Sequence, residues 1–130
     1  MNISSLTNPY TKWFLTPITL NISENYGRLL ENLVFIELKR RAYEVFYHAD
    51  KTECDFVIRQ AYQIVQAIQV CYTLNNETRN REIKGLIDAM NIYNLDKGLI
   101  ITTDKEEEIE IEGKQISIVQ VWKWLLLSKM

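Results

Sequence analysis

Apolar positions along the chain switch between the 3.6-residue period of a buried helix face and the two-residue period of a strand, and the switches mark out the elements. Residues 1–22 follow neither period. They hold Asn, Ser, Thr and both prolines, Pro9 and Pro17, and predict an irregular arm against a sheet edge. From Ser23, an N-cap candidate followed by Glu24 at the positive end of the dipole, the string ENYGRLLENLVFIELKRRA predicts a helix. Leu29, Leu30, Leu33, Val34, Phe35, Ile36 and Leu38 leave a narrow polar strip of Arg28, Asn32 and Lys39, so most of its circumference is expected to pack. Lys39, Arg40 and Arg41 close it at the negative end.

Three strands are expected next: Tyr43 to His48, Glu53 to Arg59 after the loop 49–52, and Gln63 to Tyr72, the last apolar enough to be central. Asn76 is the expected cap of a second helix, in which Ile83, Leu86, Ile87 and Met90 form one buried stripe. Gly98 to Thr102 predicts a short buried strand. In EIEIEGKQISIVQV a turn at Gly113-Lys114 would set Ile111 opposite Ile116 and Ile109 opposite Ile118, all on one face. Trp122, Trp124 and Leu125 to Leu127 predict a terminal helix packed back on the sheet. The expected fold class is α/β, a mixed central β-sheet flanked by helices in the order αβββαβββα, with residues 23–130 as a single domain.

Composition agrees with one domain: 130 residues with 47% apolar content bury a core unaided, and no apolar run reaches membrane-span length. The start MNISSLTNPYTKWFL lacks the basic region and apolar stretch of a signal peptide, giving a cytoplasmic expectation. The net charge of −2 conceals an asymmetry. Asp104, Glu106, Glu107, Glu108, Glu110 and Glu112 crowd one segment with Lys105; removing these seven from the 15 basic and 17 acidic residues leaves 14 and 11. A basic face elsewhere is therefore compatible with a nucleic-acid partner. Lys39, Arg40, Arg41, Arg79, Arg81 and Lys84 are the candidate phosphate contacts. Glu37 with Arg41 one turn on is the simplest structural ion pair.

Several chemistries lack their residues. No Gly-rich phosphate loop exists among four glycines, the single histidine His48 has no evident serine partner, and Cys54 and Cys71 fit no zinc spacing. Strand parity sets the two cysteines on opposite faces as free thiols. An acidic group remains. Glu31 lies at the border of the first helix's apolar stripe and Asp55 interrupts the strand ECDFVI. If Arg59 pairs with Gln63 around a three-residue turn, Asp55 lies opposite Ala67 and diagonal to Gln69; a two-residue turn flips that parity.

The order GRLLENLVFIELKRRAYEVFY, ECDFVI, AIQVCYTL, ETRNREIKGLIDAM, GLIITTD and WKWLL resembles a C-terminal domain of bacterial and archaeal AAA-type ATPases. That domain in turn resembles the PD-(D/E)XK fold of restriction endonucleases and Holliday-junction resolvases. The resemblance implies a restriction-endonuclease-like fold in which a helix Glu, a strand Asp and an acid-x-Lys strand bind magnesium and activate water. Glu31 and Asp55 take the first two places, and Gln69 and Cys71 stand where the acid and lysine belong. The implied metal set is Glu31, Asp55 and Gln69. Losing one carboxylate and the fixed cation points to a catalytically degenerate module acting as a nucleic-acid-binding accessory, with DNA a candidate partner, or as a protein-interaction accessory, to an ATPase domain in cis or in trans. Two alternatives stand beside it: an active magnesium-dependent DNase with a relocated basic residue, Lys51 or Lys39, and an interaction domain offering segment 104–112 to a partner or to a second copy in a homodimer. The chain opens with its own Met1 and a short arm, which is compatible with a stand-alone relic, a fragment, or a subunit acting in trans.

Overall fold

The computed structural model describes residues 6–7 and 22–127. In chain order they form β1 (Leu6–Thr7), α1 (Ile22–Arg40), β2 (Glu44–Ala49), β3 (Glu53–Gln60), β4 (Gln63–Val70), α2 (Asn76–Ile92), β5 (Lys97–Thr102), β6 (Glu107–Ile111), β7 (Lys114–Gln120) and α3 (Val121–Leu127). Apart from β1, this is the expected αβββαβββα order, and the fold class is α/β. The sheet order is β1-β2-β3-β4-β5-β7-β6. Pairs from β1 to β4 and between β6 and β7 are antiparallel, while β4–β5 and β5–β7 are parallel. The parallel β4–β5 pair requires a crossover, which α2 supplies. Of the expected irregular arm, Leu6 and Thr7 pair along the outer edge of β2; the other residues of the arm before Ile22 lie outside the described residues. No helix among the described residues is long and apolar enough to cross a membrane.

The sheet has a core on each face. Leu30, Val34 and Leu38 of α1 pack with Val45, Phe56, Ile58, Ile68, Ile101 and Trp124 of α3. On the other face Ile83, Leu86, Ile87 and Met90 of α2, the stripe expected from spacing, pack with Val57, Ala67, Ile100, Ile116 and Ile118. Helix α1 is less enclosed than its composition implies: Tyr26, Leu29, Leu33 and Ile36 are exposed, because one helix laid on one sheet buries a single stripe. It starts at Ile22, ahead of the expected cap Ser23. It ends in a left-handed Ala42 (φ 65°), with Tyr43 N–H donating to the Leu38 carbonyl and Ala42 N–H to that of Lys39. That double closure is a Schellman motif built without glycine. The cap of α2 is Asn75, one residue before the expected Asn76; its side chain accepts from the amides of Glu77 and Thr78.

Both hairpin turns differ from expectation by small, physically informative amounts. In β6–β7 the turn is Glu112-Gly113, both with positive φ (54° and 77°), as a type I′ turn requires. Ile109 consequently faces Ile116 and Ile111 faces Lys114, two places from the expected pairing. A two-place slip preserves parity, so the four isoleucines still share a face. The β3–β4 turn changes the site and is treated with it.

Candidate functional site where β3 and β4 part

The β3–β4 connection is the two-residue turn Ala61-Tyr62, with Gln60 paired to Gln63, in place of the three-residue turn expected. Alone, the shorter turn would move Asp55 to the face opposite Gln69. A register shift between Ile58 and Arg59 prevents this: Arg59 pairs with Ile64 but Ile58 pairs with Gln66, so Val65 is an extra residue on β4. Parity is restored, Val57 faces Ala67, and one step past the last pair, Phe56–Ile68, Asp55 meets Gln69 directly. The expected neighbours are thus brought together, in a closer relation than the diagonal one.

At this point the backbone ladder between β3 and β4 stops, while β4 continues to Val70 in its pairing with β5. Two side chains replace the missing ladder bonds. The Asp55 N–H donates to Gln69 Oε1 at 2.8 Å, and the Val70 N–H donates to Asp55 Oδ2 at 2.8 Å. Gln69 Nε2 donates to the Glu53 carbonyl at 3.0 Å and to the Glu82 carbonyl on α2 at 3.2 Å. Gln69 is 2% exposed, so each buried polar atom of its amide has a main-chain partner, as burial demands. Gly85 makes this approach possible: a Cβ there would run into the Glu53 carbonyl oxygen and lie 2.7 Å from Gln69 Nε2.

Glu31 of α1 does not line the groove at Asp55 and Gln69; its charge is felt at Tyr47, on the strand next to β3. Tyr47 on β2 is buried, and its phenol is pushed far up, first by burial, then by its hydrogen bond to Glu53, then by the negative charges of Asp55 and Glu31. Tyr47 and Glu53 were not singled out by spacing; an exposed Glu at a strand start and a Tyr in an aromatic run carry no signal until the register shift in β2 between Phe46 and His48 is known. The Cys71 thiol, in the lysine's place, is raised by burial and then by Glu82 and donates to the Thr73 carbonyl at 3.1 Å. A neutral thiol cannot supply the positive charge of a lysine. Cys54 and Cys71 both pack against the α2-side core, not on opposite faces, because Cys54 turns into that core where β3 leaves β4, its thiol donating to the carbonyls of Phe56 and Ile68. Both are free thiols.

The donor set suits magnesium poorly. Gln69 turns its oxygen to a backbone amide, and among the described residues no group of three or more His, Cys, Asp or Glu side chains could hold a metal ion. The two relocated-lysine candidates lie elsewhere: Lys39 Nζ donates to the Tyr43 carbonyl at 3.5 Å, and Lys51 lines the neighbouring cleft of His48, Asp50 and Asp88. The groove at Asp55 and Gln69, about 360 Å³, is instead lined on its α2 side by Arg81, Glu82, Lys84 and Gly85.

The six candidate phosphate contacts divide sharply. Arg40 and Arg41 both bind Glu37, at 2.6 and 2.8 Å, and hold its carboxyl at about 2. The expected Glu37–Arg41 pair is present, and Arg41 also stacks on buried Trp124, 4.2 Å from the ring centre. Arg79 is held by Glu107 at 2.8 Å. Arg81 has one loose pair, with Glu82 at 3.7 Å, and with Lys84 it faces the groove.

A mixed α/β sheet between α1 and α3 on one face and α2 on the other, with an acid and an amide bridging two parted strands, defines the class of domain. Residues 26–124 match the family DUF4143, a domain of unknown function, and the chain belongs to that family. It is 42% identical over 119 residues to an uncharacterized protein of Methanocaldococcus jannaschii, covering 83% of this chain and 26% of that protein. An uncharacterized protein of Haemophilus influenzae is 38% identical over 103 residues, covering 78% of this chain and 24% of that protein. The chain thus spans about a quarter of the length of the curated relatives it matches.

Proposed function

We propose that this chain is a nuclease-fold-like module, of the restriction-endonuclease-like type, that binds nucleic acid without cutting it and serves as an accessory to an AAA-type ATPase, in cis or in trans. One observation carries the reading: Asp55 stands where β3 and β4 part, yet its partner Gln69 spends its amide on three main-chain groups. An acid at that position would offer a second carboxylate to a hard cation; the amide offers none. Cys71 removes the cation that would help activate water. The resemblance of the motif order to ATPase C-terminal domains, together with a match confined to about a quarter of two longer proteins, supports the accessory role.

The test is incubation of the purified chain with linear and branched DNA in magnesium and in manganese, alongside Asp55→Ala. No cleavage by either protein, with binding of the same DNA at low salt, is the expected result. Metal-dependent cleavage that disappears in Asp55→Ala would overturn the degenerate reading.

A further inference from the structure

We infer that Arg81 and Lys84 form the seat for a backbone phosphate of a nucleic-acid strand at the rim of the Asp55 groove, an assignment that rests on the nucleic-acid reading above. The structure reaches it by elimination and by placement. Of the six cations that spacing nominated, Arg40 and Arg41 are consumed by Glu37, Arg79 by Glu107, and Lys39 turns to a carbonyl of its own helix end. Arg81 keeps one loose contact and stands 74% exposed, and no hydrogen bond or ion pair holds Lys84 among the described residues.

These two lie three residues apart on α2, which makes them neighbours on one helix face, and both line the groove. A phosphodiester presents two non-bridging oxygens with one charge. The planar Arg81 fork can meet both oxygens, and the Lys84 ammonium adds a point charge beside it. Their helix is fixed against the sheet at this point, since Gly85 abuts the Glu53 carbonyl and Glu82 receives Gln69 Nε2. The opposite wall carries the carboxylates of Glu53 and Asp55, and Glu82 beside Arg81 adds a third, so like-charge repulsion keeps a phosphate away from the groove floor and at the outer ends of Arg81 and Lys84. A phosphate is therefore confined to the α2 rim.

Fluorescence anisotropy with a labelled DNA duplex, its single strand and an RNA of the same sequence, titrated at several salt concentrations, tests the seat. Arg81→Ala and Lys84→Ala are each expected to weaken binding about three- to tenfold at low salt and to lower the salt slope by about one. Arg79→Ala, whose guanidinium is already paired, is expected to bind as the native chain does. Thermal melting checks that each variant is folded. Native-like binding by the Arg81→Ala/Lys84→Ala double variant would overturn the seat and leave the nucleic-acid reading standing. Absence of native binding to every strand at low salt would overturn both. Inorganic phosphate displacing the strand at concentrations too low to act as general salt would replace the strand with a free phosphate as the ligand and overturn the assignment.

Discussion

Exchanging the Gln69 amide for a carboxylate would set a negative charge against the carbonyl oxygens of Glu53 and Glu82, which now accept from Nε2. Gln69→Glu is therefore expected to destabilise the fold by about 1–3 kcal/mol at neutral pH, the cost of leaving buried acceptors facing a group that cannot donate. The introduced carboxyl has its folded pKa raised above its unfolded value. Its penalty is complete above the folded pKa and disappears as pH falls below about 4, where it is protonated in both states. Urea unfolding of variant and native chain at pH 7 and pH 4 measures this; equal stability at pH 7 would show that the amide is not the needed donor. Asp55 was legible from sequence as an acid inside an apolar strand. That Gln69 faces it was not, because the pairing depends on Val65 being an extra residue, and no local propensity announces a bulge there.

Helix α2 was legible almost entirely, since a stripe of Ile83, Leu86, Ile87 and Met90 has one plausible use, burial on a sheet. Its capping shifted by a single residue to Asn75, which satisfies two amides where Asn76 would have begun one place later. What spacing could not reveal is how closely it approaches β3. Gly85→Ala is expected to cost about 1–3 kcal/mol, because the Glu53 carbonyl is main chain and cannot swing aside. The variant should also weaken phosphate binding, since Lys84 and Arg81 ride on the displaced helix. A melting temperature unchanged from native would mean the contact is relieved without strain. Helix α1 shows the opposite outcome: its wealth of apolar residues suggested burial nearly all round, but a helix on one face of a sheet leaves Leu29 and Ile36 more than half exposed.

For the whole molecule, two groups in different places give stability a two-step dependence on acid. Burial lowers the pKa of His48, opposed in part by the charges of Asp50 and Asp88, and its Nδ1 lies 2.7 Å from the Tyr93 hydroxyl. Below its ordinary value of 6.5 the unfolded chain takes up a proton that the folded chain resists, so stability falls until the folded pKa is passed. Glu37 acts in the same direction at lower pH: its carboxyl, held at about 2 by hydrogen bonds to Arg40 and Arg41, contributes stability above 4.5 that is lost as pH falls toward 2. Urea midpoints from pH 8 to pH 3 should show both steps, and His48→Gln should remove the upper one alone. An identical slope between pH 7 and pH 5 in the two proteins would remove His48 from the account. Element order, the α2 stripe, the Glu37 ion pair and the presence of an acid in β3 were readable along the chain, because each depends on residues within a turn or two of one another. Which cations are already paired, the way Gln69 ties β3 and α2 to β4 instead of facing outward, and the joining of Tyr47 and Glu53 to Asp55 were settled only when distant segments folded onto one another. These are relations between distant segments, set by two register shifts, one turn and one glycine, and periodicity along the chain does not encode them.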